Sequence, residues 1–474
     1  MTWARFRHAP AVAVAGIILL AGRATGQANP VAQDSQPATA AEPFCCDTKH
    51  FWTAGAELVA LQVVPWYFNR HVSDDSTAAL SFTSWRRNIQ RGFEWDNNAF
   101  PTNMFMHPYH GNLFFNAARN NGYGYWESVP FAFAGSLMWE MFGENNKGAI
   151  NDWVATSVGG IAIGEALYRT SQTVWDNRAT GLERAGREFA GFLLNPIGGF
   201  NRAVRGEWSR VGPNPFDRIP TQSGAYLRAG MRSVEEGESG TMTRHPYFEV
   251  DLQYGDPFEG GFRQPFDAFR LTAQVNFTDK TPIGRLQVEG ALWGTDLKRS
   301  EKTRHVFSLL QNFDYINNEA YETGGQRFSG AFLSDYRLSD GVYLGTKVQG
   351  SLLLLWGVSS NYAETVGRDY DFGSGAGLRF ETQLNALRTD LVELTYELFW
   401  SRTVSGVRGD NFIHLLAARV GMPIWKALGA GADFRLLSRS SAYRDFPDVK
   451  RTVPEFRLYV KLFPRRSPYW APEF

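Results

Sequence analysis

Positions 93 to 123 concentrate side chains that could perform acid–base chemistry or bind a charged group. Asp96 could orient the imidazole of His107 or His110 as a general base, as a carboxylate does in many hydrolases. Arg119 or nearby Asn amides could hold an anionic headgroup or a developing oxyanion. The pattern predicts a site whose catalytic candidates are Asp96, His107 and His110.

Further polar side chains around the same motif are candidates for holding a ligand. They are Asn103, Tyr109, Asn116, Arg119 and Glu127. Tyrosine, histidine and arginine side chains could bind a lipid phosphate or a passing solute without altering it.

The enzyme hypothesis lacks an evident nucleophile. Ser128 is the nearest hydroxyl, but no Gly-x-Ser-x-Gly elbow surrounds it, so a water activated by histidine is the alternative. A metal held by His107, His110 and Asp96 is a further alternative. The histidines, however, are not spaced like the usual helical pair of metal ligands, and a proline separates them. We therefore expect no metal and no cofactor.

The same residues also suit a purely architectural role. A polar loop packed against other structure has buried backbone groups, which Asp, Asn and His side chains can satisfy. Arg119 could pair with Asp96 or Glu127. The sequence alone does not decide whether the protein is an enzyme.

Three motifs in this region occur together: a Trp-Asp motif at 95–96, a His-Pro-Tyr-His-Gly motif at 107–111 and an Asn-Ala-Ala-Arg segment at 116–119. With the Gly-rich helix that ends near Glu165, they resemble the bacterial family catalogued as domain of unknown function 3943, over roughly residues 80–175. The resemblance implies an envelope protein in which a barrel follows this domain. It implies no activity.

Apolar or amphipathic segments at 53–69, 128–142 and 149–169 predict helices. Asp152 and Glu165 in the third segment would make full burial in a membrane costly. We therefore expect these helices to pack at the periplasmic mouth of a barrel or in its lumen.

The second half of the chain alternates apolar and polar side chains, as a strand with one apolar and one polar face does. In the segment 269–277, Phe269 and Leu271 share one face while Arg270 and Thr272 share the other. About a dozen such segments of roughly ten residues, in a chain that ends on Phe474, are typical of a transmembrane barrel. The predicted fold is mainly β with an α N-terminal part: an antiparallel barrel of about 12 strands, preceded by a helical domain that caps or plugs it.

The N-terminus predicts export. Arg5 and Arg7 precede an apolar run at 11–20, as in a secretory signal peptide. The domains expected are a signal peptide at 1–28, a disordered linker at 29–47, a helical periplasmic or plug domain at 48–220 and the barrel at 221–474. The linker contains the chain's two cysteines, Cys45 and Cys46.

Composition narrows the class of protein. Hydrophobic residues make up 43% of the chain, but after the N-terminal run no long charge-free apolar stretch follows, which argues against an inner-membrane helical protein. Lys plus Arg equals Asp plus Glu, at 48 each, so no net charge points to nucleic acid as a partner.

We therefore expect a bacterial outer-membrane protein with a structural or lipid-handling role. Its expected partners are outer-membrane lipids, with lipopolysaccharide or a small solute as further candidates. The alternatives are a membrane-embedded hydrolase or acyl-transfer enzyme that acts on envelope lipid, and a solute channel gated by the helical domain.

Overall fold

The computed structural model describes residues 48–462 except 74, 97–98, 215–222, 237–239, 259–261, 263, 279–280, 363–366 and 388. The predicted signal peptide, the linker with its two cysteines and the C-terminal Phe474 lie outside the described residues, so the signal peptide stays a prediction. Helices come first in the described chain, and a closed barrel of 12 antiparallel strands follows. The predicted barrel is therefore confirmed.

The helical part contains α-helices, short π-helical turns and one two-residue parallel strand pair. The helices are α1 (Phe51–His71), α2 (Phe82–Arg91), α3 (His107–Arg119), α4 (Tyr125–Met138), α5 (Ile150–Val154), α6 (Gly160–Val174), α7 (Gly181–Leu194) and α8 (Pro196–Val204), with a 3-10 turn at Ser76–Ala78. The π-helical turns are Thr102–Met106 before α3, Trp139–Gly143 after α4 and Ala155–Gly159 between α5 and α6. The strand pair joins β1 (Phe93–Glu94) to β2 (Gly148–Ala149).

Glycines let the two central helices approach closely. A Cβ atom on Gly111 of α3 would lie 1.7 Å from the carbonyl oxygen of Thr156, and one on Gly160 would lie 2.4 Å from the carbonyl carbon of Gly111. No side chain fits in so little space, so the small residues at 159–164 set the distance between α3 and the helix that runs from α5 into α6.

Each barrel strand pairs with its neighbours along the chain, and β14 pairs with β3 to close the barrel. The strands are β3 (Ser223–Glu236), β4 (Thr241–Tyr254), β5 (Phe269–Asn276), β6 (Ile283–Arg299), β7 (Thr303–Asn317), β8 (Glu322–Ser339), β9 (Val342–Ser359), β10 (Tyr370–Ala386), β11 (Thr389–Ser405), β12 (Gly409–Trp425), β13 (Leu428–Tyr443) and β14 (Val449–Leu462). Closure removes exposed strand edges, as a membrane requires.

Ion pairs between distant strands identify the lumen. Arg270 of β5 lies 2.6 Å from Glu381 of β10, and Lys347 of β9 lies 2.8 Å from Glu289 of β6. Leu271 belongs to the opposite face of β5. The predicted direction of the side chains at 269–272 is therefore correct.

The helices lie against the outer wall of the barrel. Gln287 and Asp314 form a hydrogen bond inside the lumen. Val288 and Phe313, which are the next residues along the two strands and lie opposite each other, therefore point outward. They pack in one hydrophobic core with residues of the helices. On the same outward face, Gln311 donates a hydrogen bond of 3.0 Å to the carbonyl of Val158.

Our expectation that the helical domain caps or plugs the barrel was therefore wrong for the described helices. Charged side chains fill the middle of the lumen, which offers apolar helices little to pack against. The outer faces of β5–β10 offer a large apolar surface instead, made of Phe269, Val288, Phe313, Tyr315, Leu355, Tyr370 and Phe372. Burial of apolar surface therefore favours the outside. No helix in the described part of the chain is both long enough and apolar enough to cross a membrane.

Candidate functional site

One histidine and three carboxylates meet in the helical domain. Asp96 follows β1, His107 begins α3, Glu140 lies in the π-helical turn after α4, and Asp152 lies in α5. Nitrogen and oxygen atoms of His107, Glu140 and Asp152 all lie within 4.8 Å of one another. We call these four residues the acid–histidine cluster.

Each helical residue of the cluster lies in or beside a π-helical turn. Thr102–Met106 directly precedes His107, Trp139–Gly143 contains Glu140, and Ala155–Gly159 begins three residues after Asp152. A π-helical turn widens a helix and changes the direction of the side chains around it, and such turns are frequent at functional sites. These three irregular turns therefore determine how the cluster converges.

His107 is held on both sides of its ring. Its Nε2 lies 3.5 Å from Oδ2 of Asp152, and its Nδ1 lies 3.3 Å from Oγ1 of Thr156. Burial lowers the pKa of His107 to about 4, although the charge of Asp96 opposes the change. The imidazole is therefore neutral near pH 7 and can act as a base or as a ligand.

The carboxylates of the cluster have few countercharges. Glu140 accepts a hydrogen bond of 2.8 Å from the backbone N–H of Ala149, and burial raises its pKa to about 8, with the charges of Glu144 and Asp96 adding to the rise. Burial also raises the pKa of Asp152. Among the described residues, the only basic side chain recorded in ion-pair contact with Asp96, Glu140 or Asp152 is His107.

Asp96 does not orient His107 directly. Its Oδ1 accepts hydrogen bonds from the Nδ2 atoms of Asn103, at 2.7 Å, and Asn151, at 2.8 Å. The imidazole of His107 instead contacts Asp152. From the sequence, Asp152 was expected only to make burial of its helix in a membrane costly. The predicted ligand-binding residue Asn103 thus reaches the cluster through Asp96, while its amide also donates to the hydroxyl of Tyr370.

The second predicted catalytic histidine has different surroundings. Nε2 of His110 lies 3.2 Å from the carbonyl oxygen of Leu61 in α1, and its ring packs against Phe114 and Trp139. Burial lowers the pKa of His110 to about 4 as well. His110 therefore joins α3 to α1 and is not part of the triangle formed by His107, Glu140 and Asp152.

Two predicted ligand-binding residues stabilise helix contacts outside the cluster. Asn116 donates to Asn112 and to the carbonyl of Gly164, which links α3 to α6. Arg119 makes two hydrogen bonds to Glu165, at 2.7 Å and 3.0 Å. Its predicted pairing with Asp96 or Glu127 was wrong, because Arg119 lies at the opposite end of α3 from His107.

The other two predicted ligand-binding residues are also outside the triangle. Glu127 accepts from the backbone N–H of Gly124 at 3.0 Å and from Lys49 at 2.6 Å, so it caps the start of α4. Tyr109 is partly buried on α3, and burial raises the pKa of its hydroxyl.

The sequence did not single out Glu140, nor Asp152 as a residue that contacts His107. One signal was present for both: each is an acid within a mainly apolar helical segment, Trp-Glu-Met-Phe for Glu140 and Ile-Asn-Asp-Trp-Val for Asp152. Charged residues are rarely buried unless they are paired or bind a metal, so such acids are candidates for a site.

Comparisons with solved structures return outer-membrane barrels. The chain is similar to OmpT, an outer membrane protein of Vibrio cholerae, at 9% identity over 51% of this chain and 96% of that one, with a TM-score of 0.24. It is similar to outer membrane phospholipase A from Escherichia coli, at 10% identity over 53% and 93%, with a TM-score of 0.27. The anion-selective porin from Comamonas acidovorans gives 5% identity over 51% and 98%, with a TM-score of 0.22.

No curated protein matches the chain. A family model described as Domain of unknown function (DUF3943) matches residues 92–197, which include the acid–histidine cluster. The resemblance indicated by the three motifs is thus confirmed: in this β-barrel protein, residues 92–197 match the family of unknown function 3943.

Proposed function

We propose that the protein handles lipid in the outer membrane, and that its helical domain contacts lipid beside the barrel. The observation that carries the proposal is the docking of the helices on the outward faces of β5–β10. The outer wall of a membrane barrel is the surface that faces the bilayer. Helices attached to this wall occupy space that lipid would otherwise fill.

The free faces of the helices support contact with lipid. Trp52 is 85% exposed, Val64 66% and Leu182 92%, and other large apolar side chains near them are also exposed. Exposed apolar side chains in such numbers are unusual on a domain surrounded by water and are typical of a membrane or protein contact. Acyl chains of envelope lipid, including lipopolysaccharide, suit this surface.

The small free volume of the lumen favours a function on the outside of the barrel over transport through it. Among the charged side chains of the lumen, the structure leaves two small cavities, of about 50 Å³ and about 80 Å³, and each has room for only a few waters. The described helices also lie outside the lumen and do not cover it. Both observations argue against a solute channel gated by the helical domain.

A second candidate function is hydrolysis or acyl transfer on envelope lipid at the acid–histidine cluster. The observation that favours it is the neutral imidazole of His107 beside Asp152, with 13% of the histidine side chain exposed. Ser128 is unsuited as the nucleophile, because its hydroxyl donates to the carbonyl of Gly124 at the start of α4. The geometry leaves a water activated by His107 as the attacking group.

Photocrosslinking tests the lipid contact. p-Benzoylphenylalanine is placed at Trp52 or Val64 of α1 in protein folded into vesicles of outer-membrane lipid. Leu458, exposed on β14, is the lipid-facing control, and the turn residue Asp340, whose side chain is 99% exposed, is the water-facing control.

We expect lipid adducts from Trp52 and Val64 in yields like those from Leu458, and their masses would identify phospholipid or lipopolysaccharide. Yields as low as those from Asp340 would show that α1 faces water, and the proposed lipid contact would then fail.

A further inference from the structure

We propose that His107, Glu140 and Asp152 bind a divalent transition-metal ion, with Zn²⁺ the ion that fits them best. The proposal goes beyond the lipid-handling role and does not depend on it. One imidazole and two carboxylates form a common set of three protein ligands for zinc, with a fourth position open to water or a substrate oxygen.

The distances suit such a site. Two ligand atoms that each lie about 2.1 Å from a tetrahedral zinc are separated by roughly 3.4 Å. Nε2 of His107 and Oδ2 of Asp152 are 3.5 Å apart, and the ligand atom of Glu140 lies within 4.8 Å of both. A small movement of Glu140 would complete the triangle.

Each ligand is also oriented by a second contact. Thr156 holds Nδ1 of His107, which leaves Nε2 toward the carboxylates. Asn151 donates to Oδ1 of Asp152 at 2.7 Å, and the backbone N–H of Ala149 donates to one oxygen of Glu140. Such outer contacts fix the ring orientation and the carboxylate rotamers of metal sites.

Asn103, which contacts Asp96 of the cluster, is completely buried. Its amide nitrogen donates to Asp96, but its amide oxygen has no hydrogen-bond partner. A buried acceptor of this kind costs free energy unless a donor or a cation satisfies it. Because the same amide is hydrogen-bonded to Asp96 of the cluster, its oxygen lies beside the proposed site, and a metal-bound water could supply the missing donor.

The charges of the acid–histidine cluster also favour the binding of a metal cation. Glu140 and Asp152 are buried together beside the partly buried Asp96, and no lysine or arginine among the described residues forms an ion pair with these three carboxylates. Carboxylates in such a place must be either protonated or neutralised by a cation. The side chain of His107 is 13% exposed, so the cluster is not completely closed off from its surroundings.

Zinc titration of the whole mature chain tests the site. Tag-free protein is folded in detergent, stripped with EDTA and titrated with Zn²⁺ by calorimetry, and Co²⁺ serves as the spectroscopic probe. We expect one Zn²⁺ per chain and intense visible Co²⁺ bands typical of four-coordination. Glu140→Gln and Asp152→Asn should each weaken Zn²⁺ binding by roughly 100-fold, since even outer partners of a metal site change affinity by 10- to 100-fold.

Glu144→Gln is the matched control. Glu144 is a neighbouring carboxylate that accepts a hydrogen bond from Trp139 at 3.1 Å, so its substitution removes the same charge without removing a ligand. We expect this variant to keep nearly all of the Zn²⁺ affinity.

The proposal is overturned if the native chain binds no Zn²⁺ in excess of His107→Gln, or if Glu144→Gln weakens binding as much as Glu140→Gln. The three acids would then share protons in the absence of a metal. If the variants fail to fold, the Co²⁺ spectrum of the native chain decides, because weak bands of six-coordinate cobalt would reject the site.

Discussion

The outer wall of the barrel has two regions that differ in what covers them. The covered wall, beneath the helices on β5–β10, includes two buried glutamines, Gln311 and Gln326. The bare wall, on β12–β14 and β3, presents exposed apolar side chains, among them Met231, Leu416, Val420, Phe434, Leu458 and Val460. A glutamine facing lipid would leave its amide without partners, so the bare wall follows the rule for lipid contact and the covered wall departs from it.

The difference shows that the helices are an integral part of the barrel's structure. Gln311 donates to Val158 and accepts from the hydroxyl of Tyr125, so both ends of its amide are satisfied by the helical domain. At the other end of the helices, Arg169 binds Glu165 and reaches Asp267 in the loop between β4 and β5. Polar groups and apolar packing thus join the two domains along the wall.

Glu165→Gln should have the largest effect on the covered side. Glu165 is completely buried between Arg119 and Arg169, and removal of one partner of a buried ion pair costs about 3 to 5 kcal/mol. Burial alone would raise the pKa of Glu165, but the two arginines hold it below its usual value. The stabilisation is therefore present at neutral pH and is lost as the pH falls through that lowered pKa.

The measurement for Glu165→Gln is urea unfolding of the helices, followed by tryptophan fluorescence, with heat-modifiable gel migration as the readout of the barrel. Glu127→Gln is the control, because its pair with Lys49 is exposed and should contribute little. Equal losses in both variants would mean that the buried network does not hold the helices in place.

Leu458→Arg tests the bare wall. A charge near the bilayer midplane has no water and costs a membrane barrel about 2 to 4 kcal/mol. The same variant folded in detergent should lose much less stability, since detergent tolerates the charge. A variant as stable in vesicles as the native chain would show that this side of the barrel does not face lipid.

Gln311→Leu tests whether the covered wall faces the helices, because it should destabilise a wall beneath helices and stabilise a wall that faces lipid. On a wall exposed to lipid, the change would stabilise the barrel. Beneath the helices it removes two hydrogen bonds and leaves the hydroxyl of Tyr125 unsatisfied, so we expect a loss of about 1 to 3 kcal/mol. The reciprocal change Leu416→Gln should destabilise the bare wall in vesicles, and a stabilising Gln311→Leu would contradict the docking of the helices.

The candidate site was only partly predictable. Residue types and spacing identified His107, Asp96 and Asn103, which do converge, because all three belong to one short segment before and within α3. The same reasoning grouped His107 with His110, whereas the helix directs His110 toward α1. Glu140 and Asp152 come from other helices, and their approach depends on π-helical turns that no local pattern in the chain indicated.

Alternation along the strands was enough to determine the barrel and the direction of residues such as Leu271 and Thr272, because side chains on a strand point to opposite faces by local geometry. The position of the helices was not determined in this way. An apolar helix can pack against any apolar surface, so its location depends on which surface the folded barrel offers. Only the tertiary structure showed that Arg270, Glu289, Lys347 and Glu381 fill the lumen with charge, while Val288 and Phe313 give the helices an apolar surface on the outside.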